Sequence, residues 1–244
     1  MWFKPAHSEY SEKIPGSWQQ MQHGSWWRDE LCKTLEPEWE TIFGHYLLKL
    51  GPLSASMPTP CRIKEQYTVW NSEKADVQAE LTALPFQEHS VDAVLLTHAL
   101  EYQGDPHQVL READRALRPD GYMVVVVVNP ISLASLGRLW PPHRKKPLWN
   151  SRLFPCFRVK DWLGLLNYEI TSSGYFAGGA PLSSNGNPER GWKRITNALP
   201  SLSGGYYLVA KKREWPLTLQ RSSAKSRGRH ASSAMPVGST MHKS

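Results

Sequence analysis

Residues 83–128 read ALPFQEHSVDAVLLTHALEYQGDPHQVLREADRALRPDGYMVVVVV, and the succession of patterns in them decides the fold. The stretch SVDAVLLTHAL, residues 90–100, is apolar almost without interruption, which suits a strand buried on both faces of a parallel sheet. GDPHQVLREADRALRPDG then carries helical spacing. Asp105 stands where it can cap the first turn, and Pro106 fits that turn because its missing N–H would have no partner there. Val109, Leu110, Ala113, Ala116 and Leu117 form one apolar face. Pro119, Asp120 and Gly121 stop the helix. The next segment, YMVVVVV, is the most β-prone of the chain and ends in the turn signal Asn129-Pro130. Strand, helix and a second strand with no wet face make a βαβ unit with a right-handed crossover, so the fold class is α/β.

Working outward, residues 1–23 are polar and punctuated by Pro5, Pro15 and Gly16, and read as an irregular N-terminal segment. From Ser25, Trp26, Trp27, Leu31, Leu35 and Trp39 recur at helical spacing, with Pro37 expected to break or kink the helix. His45 to Leu50 reads as a short buried strand ending at Gly51, and Arg62 to Val69 as a second strand. Beyond the central unit the pattern predicts a helix near 131–139, a Pro-rich basic loop WPPHRKKPLW, a helix near 159–166 and strands at 168–173 and 205–211. Residues 177–191, rich in Gly, Ser, Asn and Pro, read as a loop. The domain is expected to run from 24 to 215, and residues 216–244, mostly Ser, Arg and Lys, to form a basic disordered tail.

A chain of 244 residues can bury one sizeable core. Its formal net charge is +7, but six of those positive charges fall from Lys212 onward, so residues 1–211 are nearly neutral. Cys32, Cys61 and Cys156 are odd in number and lack CxxC or CxxH spacing, which argues against a disulfide framework and a zinc site and for a reducing compartment. The N-terminus has no apolar signal region, and the longest apolar run, Met123 to Val128, is too short to span a bilayer. The expected setting is soluble and cytoplasmic, with no membrane association and no metal.

The order of LPF, an acidic residue before an apolar strand, an LREADR helix and a PDG turn resembles the second half of class I S-adenosylmethionine-dependent methyltransferases, in the methyltransferase type 11 branch. With LLKLGPLSA, NPIS and DWLGLLNYE added, residues 25–218 resemble YafS-like bacterial proteins. The resemblance implies a Rossmann-like fold, a mostly parallel seven-stranded sheet with helices on both faces, and S-adenosylmethionine lying across the carboxyl ends of the strands, where open α/β sheets bind ligands. It places Gly51 in the first cofactor loop, Glu80 and Leu81 at the adenine, and Thr97 and His98 beside the methionine part. Asn71 and then Glu73 become the candidates for the ribose hydroxyls.

Several positions depart from that family's pattern. Leu53 and Ala55 stand where further glycines are usual, Pro52 removes a backbone donor, and Lys49 replaces the usual acidic residue, where it would repel a sulfonium. Only 32 residues, 52–83, separate Gly51 from the LPF element, whereas two helices, two strands and their loops need roughly 45. The first half is therefore shortened, with at least one helix reduced or missing.

Methyl transfer needs positioning more than side-chain chemistry, so no catalytic cluster is required. His98, with Glu101 and Tyr102 close behind, is the candidate general base for an acceptor hydroxyl or amine, against a purely structural role at a strand end. Asp105 and His107 read as helix-start residues, and Asn129-Pro130 as a turn into a helix. The basic HRKK stretch, 143–146, lies among Trp140 and Trp149 and could contact phosphates and bases, as could the basic tail. Three functions follow: a methyltransferase of unknown acceptor, a non-catalytic methyltransferase-like binding or scaffold protein with a degraded cofactor loop, and a nucleic-acid-associated protein.

Overall fold

A computed structural model describes residues 15–21, 23–132, 152–177 and 199–213. Among them one sheet carries β1 (Tyr46–Leu50), β2 (Glu65–Trp70), β3 (Val77–Gln78), β4 (Val91–Thr97), β5 (Leu117–Val128), β6 (Tyr168–Phe176) and β7 (Gly205–Lys212). Their order is β3-β2-β1-β4-β5-β7-β6. The first five strands are parallel, and β7 runs antiparallel between β5 and β6. The expected α/β, mostly parallel architecture is what the chain forms.

β5 shows why its sequence is so apolar. Met123, Val125 and Val127 pack into one core cluster while Tyr122, Val124, Val126 and Val128 pack into another on the opposite face, as the two-residue period of a strand requires. On the first face lie α3 (Pro106–Ala116) and α4 (Cys156–Leu165), contributing Val109, Leu110, Ala113 and Ala116 and Val159, Trp162 and Leu163. Asp105 caps α3 as its position predicts, accepting the Gln108 N–H at 3.0 Å. On the second face lies α1 (Gly24–Trp39), which buries Trp27, Leu31, Leu35 and Trp39.

The shortening of the first half is visible residue by residue. After β1 comes only α2 (Pro52–Ala55), four residues long, and β2 reaches the two-residue β3 through turns with no helix between. The second face therefore has almost no helix of its own from this half, and α1 supplies the cover. Pro37 does not break α1, which continues to Trp39. The carbonyl left without a helical donor is that of the exposed Lys33, where water can take the bond.

One further expectation changes. Among the described residues of the segment read as irregular lies a 3₁₀ turn, Trp18–Gln20, and both Trp18 and Met21 are buried in the core of the second face. Lys212 and Arg213, inside the expected 24–215 span, pair with acidic side chains of the described residues. Lys212 is buried, with its ammonium 3.2 Å from the Asp114 carboxylate, and Arg213 pairs with Glu169 at 2.6 Å. The helix expected at 131–139 lies outside the described residues beyond Ser132, as do the HRKK loop, the 177–191 loop beyond Ala177, and the tail. Among the described residues no helix is long and apolar enough to cross a membrane.

Because α1 carries the cover of one face, Leu31→Ala, at a fully buried position, is expected to cost about 2–5 kcal/mol of stability in chemical denaturation. Lys33→Ala on the exposed side of the same helix should stay within about 0.5 kcal/mol. Equal effects would show that α1 is not a core element.

Candidate functional site

The strand order reverses between β1 and β4, and an open α/β sheet presents a crevice at the carboxyl ends there. Gly51 leaves β1 with φ 93° and ψ 158°, a conformation that essentially only glycine adopts. Its N–H donates to the Val69 carbonyl at 2.9 Å, fixing the turn against β2. A Cβ placed on it would lie 3.7 Å from that of Ala99, so the turn after β1 abuts the turn after β4. The fully buried Ser54 ties the two together: its hydroxyl donates to the Leu50 carbonyl at 2.7 Å and accepts the Thr97 N–H at 2.8 Å. Lys49, expected to repel a sulfonium, is turned elsewhere. Its ammonium donates to the Met57 carbonyl at 2.9 Å, and burial pushes it below the usual lysine range.

At the end of β4 the alternation of faces would send His98 to the same side as Leu96. His98 instead has φ 49°, and this left-handed turn swings its ring to the α1 side. There it meets Trp18 at 5.7 Å, Trp27 at 6.1 Å and Phe176 at 6.5 Å between ring centroids. His98 and Glu101 are both buried, with Nδ1 and Oε1 3.0 Å apart, and the same carboxylate oxygen accepts the Val128 N–H at 2.9 Å. With the Glu101 carboxylate ionised and Nδ1 carrying the proton, Nε2 is left as a proton acceptor. Nε2 has no hydrogen-bond partner among the described residues, nor do Thr97 Oγ1 and Glu101 Oε2. Buried polar atoms are almost always paired, so three orphans within residues 97–101 mark a place with unmet polar demand.

Past the ends of β2 and β3, the Asn71 amide donates to the Glu80 carboxylate, and Gln78 Nε2 donates to Asn71 Oδ1 at 3.3 Å. The fold thus joins the residue read for the ribose to the residue read for the adenine, and both are exposed. Glu73 is exposed in the same turn region. Asp76 is committed to Thr68, whose hydroxyl and N–H both donate to it and hold its carboxyl below the usual range. Leu81 is the exception among the sequence-derived candidates: its side chain is buried in the core with Leu48, Leu50 and Val69, leaving only its main chain for a ligand. Asn129 is fully committed, its amide to the Ser201 and Ser203 carbonyls at 2.6 and 2.9 Å and its carbonyl oxygen to the Ile131 N–H, in keeping with a turn. Asp105 and His107 stay at the start of α3, the latter 4.2 Å from the Trp162 ring.

Sequence reasoning missed Ser54 and Trp18. Nothing local marks Ser54 as the link between two loops, and no pattern connects Trp18 with His98 eighty residues later. Among the described residues no three His, Cys, Asp or Glu side chains converge as a metal site would need.

The strand order and crossovers are those of the class I methyltransferase fold, and comparisons agree on the fold. A family profile described as a methyltransferase domain matches residues 61–125. The chain belongs to the family of the uncharacterized protein YafS of Escherichia coli (strain K12), with which it is 38% identical over 218 residues, 88% of each chain. Among solved structures, an S-adenosylmethionine-dependent methyltransferase from Thermotoga maritima superposes with a TM-score of 0.57 at 18% identity, covering 76% of this chain and 89% of that one. Geranyl diphosphate C-methyltransferase from Streptomyces coelicolor A3(2), solved with S-adenosyl-L-homocysteine, superposes with a TM-score of 0.52 at 12% identity and 75% coverage of each chain. At these identities the structural likeness establishes the fold.

Gly51→Ala has room for its methyl group but not the backbone conformation. It is expected to cost about 1–3 kcal/mol in strain, read as a melting temperature lower by roughly 2–4 °C per kcal/mol. An unchanged melting temperature would remove Gly51 from its special role.

Proposed function

We propose that the chain binds S-adenosylmethionine across the carboxyl ends of β1, β2 and β4 and transfers its methyl group to an acceptor. The observation that carries this reading is the cluster of buried atoms Thr97 Oγ1, His98 Nε2 and Glu101 Oε2 beside the Gly51 turn, none with a hydrogen-bond partner among the described residues. The donor set fits the cofactor. Gly51 permits a close backbone approach, Asn71 and Glu80 offer an amide and a carboxylate to the adenosine, and Thr97 lies toward its methionine end. Lys49, turned to Met57, no longer opposes a cation there. The bound cofactor would supply an already activated methyl on sulfur, so the protein's task is alignment and proton removal. His98 would take the acceptor's proton at Nε2, and Glu101, hydrogen-bonded to Nδ1, would hold the tautomer and stabilise the resulting imidazolium.

Binding without turnover is a second reading. It is favoured by Pro52, which offers no N–H, by the Gly51 N–H already bonded to Val69, and by the burial of His98 beneath Trp18. Calorimetric titration with S-adenosylmethionine and S-adenosylhomocysteine tests the shared part. Saturable binding is expected, and Glu80→Ala should weaken it about tenfold, the equivalent of about 1.4 kcal/mol. No heat and no thermal shift at millimolar ligand would sink the methyltransferase reading. Binding unaltered by Glu80→Ala would move the adenine elsewhere.

A further inference from the structure

The aromatic enclosure over His98 is more elaborate than packing requires. Trp27 and Phe176 stand perpendicular, 5.6 Å apart, and both contact His98. The main chain recedes to make room for them: a Cβ on Gly204 would lie 2.7 Å from Trp27 Cη2, and one on Gly205 would lie 2.4 Å from Phe176 Cζ. Into this enclosure comes the Trp18 indole, edge-on to His98. It fits by shape but not by chemistry, because Trp18 Nε1 and His98 Nε2 are both buried and neither finds a partner among the described residues. Among the described residues, the segment that delivers the indole packs on the sheet through Trp18 and Met21. Its hydrogen bonds to other described residues run within the segment and to Gly24.

We propose that the enclosure is the acceptor seat, that Trp18 fills it as a displaceable plug, and that the acceptor is a small planar aromatic molecule carrying an ionisable hydroxyl. This rests on the methyltransferase reading above. The ring of such a molecule takes the place of the indole against His98, within the apolar cluster that also holds Trp27 and Phe176. Its O–H then meets the Nε2 that the indole leaves unpaired. The O–H bond breaks with its electron pair kept on oxygen, the proton binds Nε2, and the imidazolium shares its charge with Glu101 through Nδ1. A phenolate, the better nucleophile, is left in the seat. An aliphatic acceptor would meet the walls less well, and a phosphorylated one would bring a multiple charge into an apolar enclosure.

The test uses 4-nitrophenol, whose ionised form absorbs in the visible, with the full chain. The wild type should bind it with appearance of the nitrophenolate band, and hydrogen exchange of the amides of residues 15–21 should quicken as Trp18 leaves. Trp18→Ala should tighten binding about tenfold, because the competing indole no longer lowers the binding-competent fraction. His98→Gln should weaken binding and leave no band beyond that of free nitrophenol at the same pH, whereas the wild type exceeds it. If Trp18→Ala fails to fold, the exchange measurement on the wild type decides. Nitrophenol that does not bind, or binds without quickening exchange at 15–21 and without a response to Trp18→Ala, overturns the proposal. S-adenosylhomocysteine titrated into the same samples separates the two failures. Its binding with no nitrophenol binding overturns the seat alone, whereas nitrophenol binding without it overturns the seat's role as a methyl-acceptor site.

Discussion

A parallel sheet whose central strands are apolar on both sides must be covered on both sides, and among the described residues one side has little helix of its own from the first half of the chain. α3 and α4 cover the first face with ordinary amphipathic helices. On the second, the connection that would normally furnish helices has shrunk to the four residues of α2 and a set of turns. Leaving Leu95, Val124 and Val126 wet would forfeit about 1.5–3 kcal/mol for each side chain. α1 and the single turn around Trp18 fill the gap, and Trp27, Leu31, Leu35 and Trp39 are all buried in doing so. The demand for cover thus pulls the N-terminal residues across the sheet and over the end of β4.

That displacement makes the cover and the site one structure. His98 would face the other side if β4 kept its alternation, but its left-handed backbone turns the ring toward Trp18 and Trp27. The cost of such a backbone in a non-glycine residue, on the order of 1–3 kcal/mol, is offset locally by the Glu101 bond and the Thr97–Ser54 stitch. The atypical cofactor loop also acquires a rationale. Pro52 and Leu53 cannot wrap a ligand as glycines do, yet Pro52 starts the short turn that brings Ser54 to Thr97, and Leu53 fills the second core. Lys49, the most discordant residue in the sequence, braces the far end of that turn through Met57.

Much of the architecture was legible in advance because it rests on local signals. The apolar runs at 91–97 and 122–128, the capped face of α3 and the punctuation by Pro119, Asp120 and Gly121 each constrain the backbone within a few residues. Gly51 was legible for the same reason, since a strand running into Gly-Pro must turn. The boundaries are less so: Pro37 reads as a break or kink, yet α1 runs on to Trp39, the helical bond it removes being that of the exposed Lys33. Leu81 was carried by a resemblance to a ligand position and proved to point inward, because no spacing rule shows which face a loop residue will bury.

The sequence by itself determined the βαβ centre, the shortened first half and the residue types available at the strand ends, because periodicity, capping and chain length act over short stretches. Only the tertiary structure decided that Trp18 would lie on His98, that Ser54 would join the loops after β1 and β4, and that Asn71 would bond Glu80. Each of these joins backbone turns set by strand packing, and a side chain's direction from such a turn depends on a left-handed residue or a neighbouring strand that no local pattern encodes.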